Sequence, residues 1–294
     1  MYGRSLGEES FNRVAQAEYY FMGLLSKYKN KIQRQFIKND AKRLLALMLK
    51  YELDLYLKDK DGIIFNIESG DNLRHLISEK SYLDGSIANI LNSLALSNCE
   101  VSIDIGANFG LSTMLMSRFS KKVYAFEPEI KNIKRLKHLI HVNNKTNIEL
   151  IEKAVSRKNG KARFFIADAS SHHSLAKAHF GQSEEQTIEV DVVCLDSFCE
   201  NKCIEKIGCL KIDVEGLELE VLEGAQGLLK SRGIEKIIFE ISTGVMSRLN
   251  RDPLESIKYL ESFDYKIRSA DGDIVSSRSP MGLLAGQDLV ASLS

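Results

Sequence analysis

The sequence carries no net charge, because forty Lys and Arg residues cancel forty Asp and Glu residues. The whole-chain field therefore exerts no long-range pull toward nucleic acid or an anionic membrane, and any partner must be argued from local features. Long apolar runs are missing too. The longest near the start, Tyr19 to Leu25, follows Glu8, Glu9 and Glu18. That context disqualifies it as a signal-peptide core or a membrane span and leads us to expect a cytoplasmic protein. Cysteine is sparse and odd in number: Cys99, Cys194, Cys199, Cys203 and Cys209 match no pair of C-x2-C knuckles. They read as free thiols in a reducing compartment rather than as a zinc site. Neither repeats nor low-complexity tracts occur.

What is present is ordinary globular material. The 294 residues, 44% hydrophobic and 27% charged, exclude intrinsic disorder as the main state and suffice for one large or two modest domains. Residues 1–52 read as a helical N-terminal extension, with Asp40 capping a helix that places Ala41, Leu44, Leu45 and Met48 on one face. Phe11, Val14, Tyr20, Phe21, Leu24 and Leu25 are apolar enough to require cover. An accessory element over the acceptor site, or a homodimer formed through these helices, is therefore expected. The basic run from Lys27 to Arg43 reads as a solvated helix face or as a patch for an acidic or phosphorylated partner. Residues 53–97 hold a hairpin around Lys60-Asp61-Gly62 and an amphipathic helix with Ile87, Ile90, Leu91 and Leu94 on one face.

From residue 98 to 294 the pattern changes to strands alternating with helices. Strands are predicted at Val101–Ile105, Val123–Phe126, Ile148–Ile151, Cys209–Ile212 and Lys236–Ile241. Two further β-rich runs, Ala162–Ala167 and Thr187–Val193, interrupt the alternation, and one helix should carry Leu217, Val221, Leu222, Ala225 and Leu228. Such alternation implies an α/β fold with a mostly parallel sheet and helices on both faces, whose ligands bind beyond the carboxyl ends of the strands.

The chemistry-bearing motifs fall at those ends. Asp104-Ile105-Gly106-Ala107-Asn108-Phe109-Gly110 is a glycine turn from strand to helix, but its glycines are separated by three residues and the third glycine of a dinucleotide fingerprint is absent. Asp104 ahead of it would repel a pyrophosphate yet accept hydrogen bonds from an ammonium, which favours S-adenosylmethionine over a dinucleotide. Glu127-Pro128 ends the next strand, where a carboxylate can accept both ribose hydroxyls of an adenosyl ligand. Lys211-Ile212-Asp213-Val214-Glu215-Gly216 brings two further acids to the same crevice. Helix N-capping by Asp213 would account for only one of them.

These blocks together resemble the FkbM-type S-adenosylmethionine-dependent methyltransferases. The resemblance rests on D-x-G-A-N-x-G at Asp104 to Gly110 with Thr113 beyond it, A-F-E-P at Ala125 to Pro128, and A-V-S at Ala154 to Ser156. L-D-S at Leu195 to Ser197, K-I-D-V-E-G at Lys211 to Gly216 and Ile238-Phe239-Glu240 complete it. It implies a class I methyltransferase (Rossmann-like) fold with extra strands before the fourth core strand, and O-methylation of a hydroxyl on a sugar, glycan or natural product. Cofactor contacts are expected from Asp104, Gly106, Ala107, Asn108, Gly110, Thr113, Glu127 and Pro128, with Ala154 beside the adenine. Asp213 and Glu215 are the first candidates for the base that takes the hydroxyl proton, and His172 and His173 the second. A divalent cation could orient a diol, but two acids are too few ligands to demand one. A non-catalytic binding module and a nucleic-acid methyltransferase are the alternatives. Zero net charge, the lack of Trp, and Ile212-Asp213-Val214-Glu215 in place of N-P-P-Y or D-P-P-Y weigh against the latter.

Overall fold

The computed structural model describes residues 55–58, 62–67, 90–91, 99–166, 186–280 and 287–293. The N-terminal extension with its basic run, most of the helix from Ile87 to Leu94, and the segment with His172 and His173 lie outside the described residues. The chain divides into two compact units, Met1–Tyr82 and Leu83–Ser294.

In the first unit, β1 (Leu55–Lys58) and β2 (Ile64–Ile67) pair antiparallel, with Leu55 opposite Ile67 and Lys58 opposite Ile64. This is the hairpin that the intervening turn residues predicted.

The second unit is built on β3 (Cys99–Ile105), β4 (Ser120–Phe126), β5 (Ile148–Ile151), β9 (Cys209–Ile212), β10 (Lys236–Glu240), β11 (Tyr265–Ser269), β12 (Ile274–Val275) and β13 (Asp288–Leu293). They form one sheet in the order β12-β11-β13-β10-β9-β3-β4-β5. From β5 to β10 the strands run parallel, and β13 inserts antiparallel between β10 and β11. This is the class I methyltransferase arrangement, and strand order reverses between β3 and β9, the place where open α/β sheets bind ligands. The intervening β6 (Ala154–Val155), β7 (Gly160–Ile166) and β8 (Gln186–Val193) form a separate sheet, β6-β8-β7, around Ala154, Phe164, Val190 and Val192.

Alternation along the central strands sorts residues to two faces. Ile103, Ile105, Tyr124, Phe126, Leu210, Ile212, Ile237 and Phe239 belong to one core with α3 (Leu195–Asn201), α4 (Glu218–Glu223), α5 (Gln226–Lys230) and the helix Glu255–Glu261. Phe198 of α3 meets Tyr124 and Phe126 edge-on, at ring-centroid separations of 5.2 and 4.8 Å. Each such pair adds about 1 kcal/mol to its area burial. Asp104 of β3 and Lys211 of β9 face the opposite way, and Asp104 meets α1 (Leu111–Met116) through Thr113.

The single helix expected from Leu217 to Leu228 is two, α4 and α5, separated at Gly224-Ala225. Apolar spacing carried the pattern across the break, but a tertiary contact imposes it. A Cβ on Gly224 would stand 2.3 Å from the carbonyl oxygen of Ser156, and the Gly224 carbonyl accepts from Asp196 N–H at 2.8 Å. Asp196 then caps α5, its carboxylate accepting from the N–H groups of Gly227 at 2.7 Å and Leu228 at 3.0 Å. The L-D-S block thus ties the inserted sheet to the core.

Candidate functional site at the carboxyl ends of the strands

The glycine turn is closed on itself. The N–H groups of Gly106 and Ala107 both donate to the Phe126 carbonyl, at 3.1 and 2.9 Å, and that of Gly110 donates to the Ala107 carbonyl at 2.9 Å. Asn108, in the left-handed region at φ 53°, donates its N–H to Glu127 Oε2 at 2.8 Å, and Phe109 N–H donates to Asn108 Oδ1 at 2.8 Å. Every N–H from Gly106 to Gly110 is therefore engaged inside the protein. A pyrophosphate site needs such groups aimed outward.

Glu127 is buried at 4% exposure. Besides Asn108, it takes the N–H of Glu129 on Oε1 at 2.9 Å, while Glu129 caps α2 (Ile130–Val142) through Asn132 N–H at 2.7 Å. Burial pushes the Glu127 pKa up to about 7 against the pull of those two N–H donors. Each carboxylate oxygen has a second lone pair, so two hydroxyls can still be accepted. Pro128 is half-buried between the two acids.

Asp104, fully buried, accepts from Thr113 Oγ1 on Oδ2 at 2.6 Å, whereas Oδ1 has no hydrogen-bond partner. Burial raises its pKa, and the Lys211 ammonium, 3.7 Å from Oδ1, opposes the rise together with Thr113. A buried carboxyl oxygen with no hydrogen-bond partner, beside a turn whose amides are already spent, would suit the ammonium end of S-adenosylmethionine, and Glu127 would suit its ribose. Ala154 is buried in the core of the small sheet, three residues beyond the end of β5.

Asp213 and Glu215 lie just past β9, next to the glycine turn. Asp213 donates its N–H to the Ile105 carbonyl at 3.0 Å, and a Cβ on Gly106 would fall 1.9 Å from the Asp213 carbonyl oxygen, so only glycine permits this approach. Asp213 caps no helix: α4 begins at Glu218. It is Glu218, buried, that accepts the N–H groups of Val214 at 3.3 Å and Gly216 at 3.1 Å, with burial raising its pKa to about 7. Glu215 sits in the left-handed region at φ 56°. Burial, then the charges of Asp213, Glu240 and Glu218, push its carboxyl up to about 9. Arg251 fixes the loop from below, donating to the Gly216 carbonyl at 3.2 Å while bridging Glu220 and Glu255.

Three residues join this end of the site that the sequence did not single out as site residues. Glu240, at the end of β10, is raised to about 7 by burial and by Asp213 and Asp288, and accepts from Ser242 Oγ at 3.0 Å. Asp288 opens β13 opposite Glu240. Lys211, in register with Asp104 across the β3–β9 pair, donates to Asp213 Oδ2 at 3.0 Å. Burial opposes its charge, but Asp213 and Asp104 outweigh burial and hold its pKa above the ordinary lysine value. Among the described residues no group of three or more His, Cys, Asp or Glu is placed to hold a metal ion. No helix among them is long and apolar enough to cross a membrane.

Comparison with known proteins identifies methyltransferase relatives. A curated methyltransferase of Beauveria bassiana is 24% identical over 144 residues, covering 42% of this chain and 57% of that protein. The hexuronic acid methyltransferase AglP of Haloferax volcanii is 29% identical over 163 residues, covering 55% of this chain and 61% of its own length. The chain thus spans about three-fifths of the curated relatives it matches. A crystal structure of methyltransferase FkbM from Methylobacillus flagellatus superposes with a TM-score of 0.44 at 16% identity, over 66% of this chain and 43% of that one. The methyltransferase FkbM domain matches residues 104–267, more than half of the chain. With the glycine turn, Glu127 and the Asp213 loop all inside that span, the chain belongs to the FkbM methyltransferase family, whose cofactor is S-adenosylmethionine.

Proposed function

We propose that this protein transfers the methyl group of S-adenosylmethionine to a hydroxyl of a sugar or glycan, or of a similar hydroxyl-bearing natural product. The observation that carries the reading is the contact of two loops. The glycine turn, suited to an adenosyl group rather than a pyrophosphate, touches the backbone of Asp213, a carboxylate at the strand-order reversal. The likeness to a hexuronic acid methyltransferase supports a sugar acceptor.

When bound, the cofactor supplies a methyl carbon made electrophilic by its sulfonium. The chain's own residues do the rest. Glu127 and Asp104 orient the two ends of the ligand, and the sheet and loops hold an acceptor oxygen in line with the methyl group. Asp213 takes the hydroxyl proton as the oxygen attacks, a step worth roughly a hundredfold to ten-thousandfold. Glu215, raised to about 9, stays protonated at neutral pH and donates a hydrogen bond to an acceptor oxygen instead of competing for its proton.

The test is incubation of the full chain with methyl-labelled cofactor and a panel of sugars, glycans and nucleic acids, followed by mass spectrometry. A labelled methyl ether on a sugar is expected. Label confined to nucleic acid, or failure to bind the cofactor, would overturn the reading.

A further inference from the structure

A lysine with 6% exposure is costly to keep charged, and Lys211 is placed as no simple counter-ion would be. If its task were to neutralise the fully buried Asp104, its ammonium would sit at hydrogen-bond distance from Oδ1, the oxygen that lacks a partner. Instead it lies 3.7 Å from that oxygen and 3.0 Å from Oδ2 of Asp213, whose side chain is 37% exposed. One ammonium is thus shared between the acid beneath the cofactor pocket and the acid at the acceptor end. The other charged groups that act on this cluster, Glu215, Glu218, Glu240 and Asp288, are all acidic.

We infer that Lys211 is a positioning residue that couples the two ends of the site: it holds Asp213 as an oriented carboxylate and sets how much of the Asp104 charge is left for the cofactor. The inference rests on the methyl-donor reading above. Its physical content is a competition. Whatever removes the charge of Asp213 lets the ammonium turn fully to Asp104, and a neutralised Asp104 is a poorer partner for the ammonium end of the cofactor. Asp213 therefore influences cofactor affinity although it lies at the acceptor end, and it does so only through Lys211.

The test is a double-mutant cycle read by calorimetry, with S-adenosylhomocysteine as the probe and no acceptor needed. Asp213→Asn should weaken binding about three- to tenfold when Lys211 is present and leave it unchanged in the Lys211→Met background, a coupling of the size that contacting charged residues show. Should Lys211→Met not fold, Lys211→Gln keeps a polar end for Asp104 and serves the same comparison. Lys211→Arg retains the charge and should restore the coupling, which a purely structural lysine would not require. Equal effects of Asp213→Asn with and without Lys211 would overturn the coupling while leaving the methyl-donor reading intact. No binding of the probe by the parent chain would remove that reading, and the coupling with it.

Discussion

The two ends of the crevice solve opposite problems with the same residue types. At the cofactor end, Glu127 and Asp104 are almost wholly buried, and main-chain N–H groups or Thr113 engage three of their four oxygens. Beyond β9 and β10, Asp213, Glu215 and Glu240 are half-buried; Asp213 raises the pKa of both glutamates, and the Lys211 ammonium, bonded to Asp213, opposes the rise. The first arrangement is rigid and specific, as suits a ligand that never changes. The second crowds acids whose proton affinities burial and mutual repulsion raise, as the proposed proton transfer would need.

The largest effect that would break this contrast is on rate. Asp213→Asn should lower the single-turnover rate on a confirmed acceptor by roughly a hundredfold to ten-thousandfold, with cofactor affinity changed tenfold at most. Comparable losses in both would make Asp213 part of the cofactor pocket. Next comes the converse. Glu127→Ala removes two charge-assisted hydrogen bonds and orphans the N–H groups of Asn108 and Glu129, so cofactor binding should weaken about a hundredfold or more in calorimetry. Unchanged affinity would remove Glu127 from the site.

Gly106→Ala strikes both ends together, since the added Cβ meets the Asp213 carbonyl oxygen at 1.9 Å from a backbone at φ 77°. A loss of about 1–3 kcal/mol is expected from the strained backbone alone, measurable as a lower midpoint in urea, with binding and turnover both impaired. The smallest effect is on pH. Glu127, Glu218 and Glu240 near 7 and Glu215 near 9 all titrate above the usual glutamate value, so the folded protein holds protons that the unfolded chain has released. Stability of the ligand-free protein should therefore fall as pH rises from about 5 to about 9 and level off beyond. A melting temperature that rises over that range would show these acids to be better compensated than their burial implies.

Much of the architecture was legible locally. The strands at Ile148–Ile151 and Cys209–Ile212 end where apolar runs end, and the glycine turn and Glu127 sit where their spacing placed them. What escaped depended on partners distant in sequence. Tyr265–Ser269 alternates buried and exposed residues, yet nothing local says that β13 will enter between it and β10. Lys211 reads as one more lysine until register sets it beside Asp104, and Glu240 as the end of a strand until Asp213 and Asp288 face it. The break between α4 and α5 comes from a carbonyl of Ser156, nearly seventy residues earlier.

The contact between Gly106 and the Asp213 carbonyl also works as a ruler. Main chain abuts main chain, and the Asp213 N–H is fastened to the Ile105 carbonyl on the adjoining strand. The gap between the glycine turn and the Asp213 loop is thus set by the fixed spacing of neighbouring strands, about 4.8 Å, and not by the rotamer of any side chain. On the methyl-transfer reading proposed above, a different acceptor would be met by exchanging side chains at the rim, with that backbone spacing left unchanged.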